Sequence, residues 1–233
     1  MIIALDHLEI GGSAAAYETL LGRRATDGRL RTGNVGLTFS RGETGLRSMT
    51  FATADLGKAA TLLERRAVPV TRDGHALAFT GHGVALQLAT ASGDAASAFV
   101  DDEAACVSGL DHVVVRTPNP ERAIAFYAGR LGLDLRLDRS NPKWGARLLF
   151  FRCGDLVVEI AHDLKKGVSE EPDHLWGLSW RVPDIAKANA RLKAAGIEVS
   201  EPRDGRRPGS QVFTVKDRTE GVPTIVIGGI GRW

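Results

Sequence analysis

Polar residues interrupt the apolar runs of this chain in a recurring order. MIIALDHLEI at the start and GLDHVVVRTP near the middle both carry Leu-Asp-His, at Leu5-Asp6-His7 and Leu110-Asp111-His112. Each run leads into an Ala-rich stretch with one Tyr, SAAAYETLLG and ERAIAFYAGRLGL, so both read as strand, short turn, helix and Leu-Gly stop. A second repeat lies inside the halves. FATADLGKAATLLE (51 to 64) matches WRVPDIAKANARLK (180 to 193), with Asp55 on Asp184, Lys58 on Lys187 and Leu63 on Leu192. The chain is therefore four divergent copies of one unit, starting near residues 2, 46, 109 and 177, and a repeat of this kind defines the architecture.

Within the second half, Asn119-Pro120 predicts a helix start, since Pro suits the first turn, and Asp184 predicts another that Gly196 stops. β-branched runs predict strands at 113 to 117, 146 to 153, 155 to 162, 178 to 182, 211 to 215 and 223 to 227. The stretch 90–108, rich in Ala, Ser, Gly and Asp, predicts a linker between a domain at 1–89 and a domain at 109–233. The expectation is an α+β fold of four βαβββ-type modules, paired into two sheet-lined clefts that can hold a ligand.

Composition narrows the function classes. With 233 residues and 43% hydrophobic content the chain can build a core. A net charge of +2 with scattered Arg predicts no nucleic-acid partner, and no apolar stretch approaches the ~20 residues of a spanning helix, so no membrane role is expected. The two cysteines, Cys106 and Cys153, are too few for a disulfide framework or a zinc cage, and no basic leader precedes the first strand. A cytoplasmic location is expected.

Candidate chemistry sits where polar side chains break apolar strands, since each needs a partner or costs about 1 to 3 kcal/mol. His7 and His112 hold equivalent opening-strand positions, while Glu159 interrupts LVVEIA and Gln87 interrupts VALQLA in closing strands. Alternation puts Glu159 on one face with Val157 and Ala161, and Gln87 with Ala85 and Ala89, leaving room beside each. Imidazole and carboxylate on the floor of a cleft are ligand types for iron, manganese, nickel, cobalt or zinc.

The segment GLDHVVVRTPNPERAIAFYAGRLGLDL (109 to 135), followed by LVVEIA, resembles the vicinal oxygen chelate superfamily, which includes glyoxalase I, bleomycin resistance proteins, methylmalonyl-CoA epimerase and extradiol dioxygenases. The resemblance spans nearly the whole chain. It implies paired βαβββ modules and a divalent metal held by residues from opening and closing strands. Carried over by position, it implies His112 and Glu159 as metal ligands and catalytic residues, with His7 and Gln87 as further candidates. Thr38 and Ser48 hold the other positions of the first half, and Gly177 and Ile225 those of the last module, where neither side chain binds metal. His162 and His174 lie near enough in sequence to be recruited. Depending on which modules pair, Gln87, His112 and Glu159, or His7, His112 and Glu159, would converge.

Two functions follow from the resemblance. One is a metal-dependent lyase, isomerase or dioxygenase acting on a small substrate with adjacent oxygens. The other is a metal-free protein that binds or sequesters a small molecule, with Trp144, Trp176, Trp180 and Phe150 as stacking walls. In EPRDGRRPGSQ (201 to 211), Arg203, Arg206 and Arg207 lie on a hairpin that can overhang the cleft, and Arg206 is the candidate contact for an anionic substrate. Tyr17 and Tyr127 are read as packing residues. A homodimer is compatible with the resemblance, although four modules in one chain can complete both clefts alone.

Overall fold

The computed structural model describes residues 1–229, so the expected domain end at residue 233 lies outside the described residues. The first two units run β1 (Ile2–Gly11), α1 (Ala14–Leu21), β2 (Leu30–Arg31), β3 (Gly36–Ser40), then β4 (Gly45–Thr53), α2 (Leu56–Arg65), β5 (Thr71–Asp73), β6 (Ala76–Gly81) and β7 (Val84–Thr90). They form one seven-stranded sheet in the order β2-β3-β1-β4-β7-β6-β5. The last two run β8 (Gly109–Arg116), α3 (Pro120–Ile124), β9 (Asp134–Asn141), β10 (Ala146–Cys153), β11 (Leu156–Asp163), then β12 (His174–Arg181), α4 (Ile185–Ala194), β13 (Arg203–Asp204), β14 (Gln211–Val215) and β15 (Thr224–Gly228). Their eight-stranded sheet has the order β13-β14-β15-β12-β8-β11-β10-β9.

In every unit the closing strand lies parallel beside the opening strand: β3 on β1, β7 on β4, β11 on β8 and β15 on β12. Opening strands then pair antiparallel, β1 with β4 and β8 with β12. Units one and two therefore share one sheet, and units three and four the other. This pairing separates Gln87 and His7, in the first sheet, from His112 and Glu159, in the second.

Each helix is started by a side chain that accepts a hydrogen bond from a first-turn amide: Ser13, Asp55, Asn119 and Asp184. These caps satisfy donors that the helix itself leaves open, typically worth about 1 kcal/mol each. The third helix departs from its expected course. α3 ends at Ile124 and continues as a π-helical turn over Ala125–Arg130, whose wider winding lets the adjacent Phe126 and Tyr127 both reach the core. Among the described residues, no helix is long and apolar enough to cross a membrane.

The stretch between the sheets is tied down along the first half. Arg23 Nη1 donates to the Ser97 carbonyl, the Arg31 amide donates to Ser97 Oγ, and Ser92 Oγ donates to Asp6. Apolar residues of both halves join one continuous core. Trp180 belongs to it, fully buried, and pairs in register with Leu110 and Val226, which are buried too. Expected as a cleft wall, it is a core residue instead, because it lies three residues from Gly177 and so faces the helices.

Candidate active site

The Leu-Asp-His tripeptides sit on a β-bulge. The register of β1 against β4 shifts between Leu5 and His7, and β8 against β12 shifts at the equivalent place, between the pairs His112–Ser179 and Leu110–Trp180. Successive strand residues ordinarily point to opposite faces, which would part Asp from His. A bulge re-aims them. Asp111 and His112 consequently meet, with His112 Nδ1 2.8 Å from Asp111 Oδ2, and Asp6 and His7 meet in the same way at 2.7 Å. A carboxylate only accepts, so Nδ1 is the donor in each case and Nε2 is the nitrogen presented to the cleft.

Register then assembles the second cleft. Across one row, Leu137, Phe150, Glu159, Val114 and Gly177 are neighbours on β9, β10, β11, β8 and β12. In the next row, Val157, His112, Ser179 and Ile225 are neighbours on β11, β8, β12 and β15. Glu159 is diagonal to His112, and its Oε2 lies 3.6 Å from Nε2, with the two side chains 12% and 14% exposed. That separation is too long for a hydrogen bond and keeps both groups close enough to act on one substrate atom. Burial works against the imidazolium, but the charges of Glu159 and Asp111 outweigh it and hold His112 above its ordinary value, while Arg206 acts the other way.

Ser179 was not anticipated from sequence. It is fully buried, stands opposite His112 on the same face, and its Oγ has no hydrogen-bond partner among the described residues. At the equivalent place in the first sheet, Thr50 Oγ1 donates to Gln87 Oε1. Ile225 holds the Gln87 position in the second sheet and leaves the Ser179 hydroxyl unanswered.

A divalent metal finds two suitable donors here, His112 and Glu159. Catalytic sites commonly use three. Among the described residues no three His, Cys, Asp or Glu side chains cluster to hold a metal ion, so the His7, His112 and Glu159 set does not form. Gln87 is in the other sheet, bonded to Thr50. His162 Nδ1 is buried against the Thr117 carbonyl, and His174 is exposed opposite Arg116. Position 177 is also closed sterically, because a Cβ there would meet the Pro223 carbonyl oxygen at 2.8 Å. The donor set does not fit a resident metal.

At the rim, the Arg206 and Arg139 guanidinium groups lie 4.5 and 5.1 Å from the centre of the Trp144 ring, and Arg116 lies 4.0 Å from that of Trp176. The hairpin bearing Arg206 thus reaches the β9–β10 turn. Arg139 and Asp111 also escaped the sequence reading. β9 alternates only as far as Leu137 and is polar from Asp138 to Asn141, so nothing in its pattern marks Arg139, while Asp111 needed the bulge.

A family model for the glyoxalase, bleomycin resistance protein and dioxygenase superfamily matches residues 109–223. The chain belongs to the vicinal oxygen chelate superfamily. The chain is similar to an ethylmalonyl-CoA/methylmalonyl-CoA epimerase of Cereibacter sphaeroides, 28% identical over a 109-residue alignment that covers 42% of this chain and 81% of that protein. The fold of the whole chain matches an engineered variant of 4-hydroxymandelate synthase from Streptomyces coelicolor, at TM-score 0.75 and 13% identity over 99% of this chain and 94% of that one. It also matches a Mn(II)-bound glyoxalase from Novosphingobium aromaticivorans, at TM-score 0.73 and 13% identity over 99% and 83%. This vicinal oxygen chelate protein has His112 and Glu159 on the opening and closing strands of its third unit, and Gly177 and Ile225, which offer no donor side chain, at the matching places of its fourth.

Proposed function

We propose that the second cleft is the active site of an enzyme that moves a proton at a carbon beside a carbonyl, in the manner of an isomerase or epimerase, with His112 and Glu159 as its chemical groups. The reading rests on one array: Asp111 accepts from His112 Nδ1 and so orients the ring, and Nε2 faces Glu159 at 3.6 Å, too far for a hydrogen bond. A substrate carbonyl oxygen accepts the Nε2 proton in a hydrogen bond. The Glu159 carboxylate takes the adjacent C–H proton, and the electron pair moves onto that oxygen as an enolate. The imidazolium, favoured by its two carboxylate neighbours, stabilises the enolate, and the Ser179 hydroxyl is positioned as a second donor. Return of a proton by Glu159 to the same carbon exchanges its hydrogen with solvent and restores every group; net isomerisation follows when the enediolate of a hydroxy ketone is reprotonated by Glu159 at the adjacent carbon while His112 Nε2 passes a proton between the two oxygens. The epimerase named among the relatives supports the same kind of step. A metal is not required, in line with the two-donor site, and His7 and Gln87 have no part in the chemistry.

The test is deuterium uptake from D2O, followed by NMR over a panel of small oxo acids, hydroxy ketones and acyl thioesters. Wild type is expected to exchange the C–H beside the carbonyl of at least one compound in the presence of chelator. Glu159→Gln is expected to lose about 10² to 10⁴ of that rate. Stoichiometric metal in the purified protein, lost in both His112→Ala and Glu159→Ala together with all activity, would overturn the reading and restore the metal-dependent one.

A further inference from the structure

We infer that the second cleft takes its substrate as a small organic carboxylate, clamped at the rim by Arg139 and Arg206 over Trp144. This deepens the reading of that cleft as the substrate site and rests on it. The geometry begins with register. Arg139 is opposite Leu148, which is opposite Ala161, two residues along β11 from Glu159, so Arg139 is one row from the catalytic carboxylate on the same face. Arg206 arrives from the opposite edge of the sheet, on the loop between β13 and β14.

Both guanidinium groups converge on one indole, which brings them within about 10 Å of each other, inside the screening length of ordinary buffer. Neither has a carboxylate partner among the described residues. Other arginines of the same half do: Arg122 with Asp173, Arg136 with Asp134, Arg147 with Asp138 and Arg181 with Asp155. Two like charges held against one aromatic ring without an acid are relieved by an anion that bridges them, and forked guanidinium donors match a carboxylate. The body of the molecule would then cross Leu137, 47% exposed in the Glu159 row, to bring its carbonyl between His112 and Glu159. The apolar step favours an organic acid over a bare inorganic anion.

The experiment is calorimetric titration of the full chain with 4-methyl-2-oxopentanoate, its methyl ester and inorganic phosphate. It compares wild type, the Arg139→Gln/Arg206→Gln double variant, and Arg65→Gln on α2 as a charge control. The acid is expected to bind wild type about ten- to hundred-fold more tightly than the ester. The double variant is expected to lose that margin while still binding the ester, and Arg65→Gln is expected to keep it. Equal affinity for acid and ester, unchanged acid binding in the double variant, phosphate binding as tightly as the acid, or no acid binding at millimolar concentration would each overturn the inference. Acid binding that follows the arginines without any deuterium exchange leaves the clamp standing and fails only the proton-transfer reading. Exchange that is equally fast on acid and ester does the reverse.

Discussion

The first and second clefts are built on the same bulge with the same Asp–His pair, and they differ in what surrounds it. In the first, polar groups answer one another: Asp6 is shared by His7, Arg31 and Ser92, Ser48 donates to Glu9, and Thr50 donates to Gln87. The position equivalent to Glu159 is Thr38, so Asp6 is the only carboxylate within ion-pair distance of His7 among the described residues. The His7 ring lies over Gly36, in space that a Cβ would fill at 2.5 Å. In the second cleft the Glu159 carboxylate stands at ion-pair distance from His112, 3.6 Å, with no hydrogen bond between them, and the Ser179 hydroxyl has no partner among the described residues. Two sheets with the same pairing of opening and closing strands thus carry one cleft whose polar groups are closed on each other and one with groups left to meet a ligand. Unmet buried groups cost stability, which points to function where they persist.

The sharpest break of this comparison is to remove the chemistry from each half in turn. Glu159→Gln keeps the shape of the second cleft and is expected to lower the exchange rate about 10² to 10⁴-fold with little change in substrate affinity. His7→Ala, at the matching place in the first half, is expected to leave the rate within about twofold. A large loss from His7→Ala in a protein that is still folded would assign chemistry to the first cleft.

Next in size is the pH dependence. His112 is held above its ordinary value of 6.5 by Glu159 and Asp111 against its burial. The imidazolium is the useful form, so activity is expected to hold on the acid side and to fall as pH rises through the raised value. The contribution to folding has the same sign. It is fully present below the unfolded value and is lost as pH rises through the folded one. Asp111→Asn is expected to move the fall in activity to lower pH and to reduce the rate by about a hundredfold, through the loss of the carboxylate charge that favours and orients the imidazolium. Imidazole NMR titration measures the shift directly, and an unmoved His112 would remove Asp111 from the positioning role.

The fold was legible because the repeats carry it. Four helix starts have their own capping residues, and the Leu-Asp-His copies mark equivalent strands. Which units share a sheet was not legible, because pairing of β1 with β4 and of β8 with β12 is a long-range choice that no local pattern records. Trp180 could have been placed by parity, since Gly177 on the ligand face sets residue 180 on the other. The same count puts Ser179 on the ligand face, although its lack of a partner depends on Ile225 across β15. Asp111 was hidden because strict alternation turns it away from His112, and only the bulge brings it back.

A smaller effect probes why the fourth unit offers no ligand. Gly177 packs so closely on β15 that a Cβ would lie 2.8 Å from the Pro223 carbonyl oxygen. Gly177→Ala is expected to destabilise the chain by about 1 to 3 kcal/mol, the usual cost of overpacking. Denaturant melts measure it. A neutral Gly177→Ala would mean that the strand can give, and Gly177→His would then become a route to a third metal donor.

The smallest effects set Ser179 against Thr50. Both are hydroxyl residues opposite the bulge histidine, yet Thr50 Oγ1 donates to Gln87 while Ser179 Oγ has no partner among the described residues. Deleting the hydroxyl should therefore have opposite consequences in the two halves. Thr50→Ala strips Gln87 of a donor and is expected to cost about 1 kcal/mol of stability, with no change in rate. Ser179→Ala removes a buried hydroxyl with no partner among the described residues and is expected to leave stability unchanged or raise it by roughly a few tenths of a kcal/mol. If the hydroxyl serves the enolate, the same variant lowers the exchange rate, and its effect is lost when Glu159→Gln has already stopped proton transfer. A Ser179→Ala protein that is less stable and equally active would make the serine a packing residue and leave His112 as the sole oxyanion donor in the cleft.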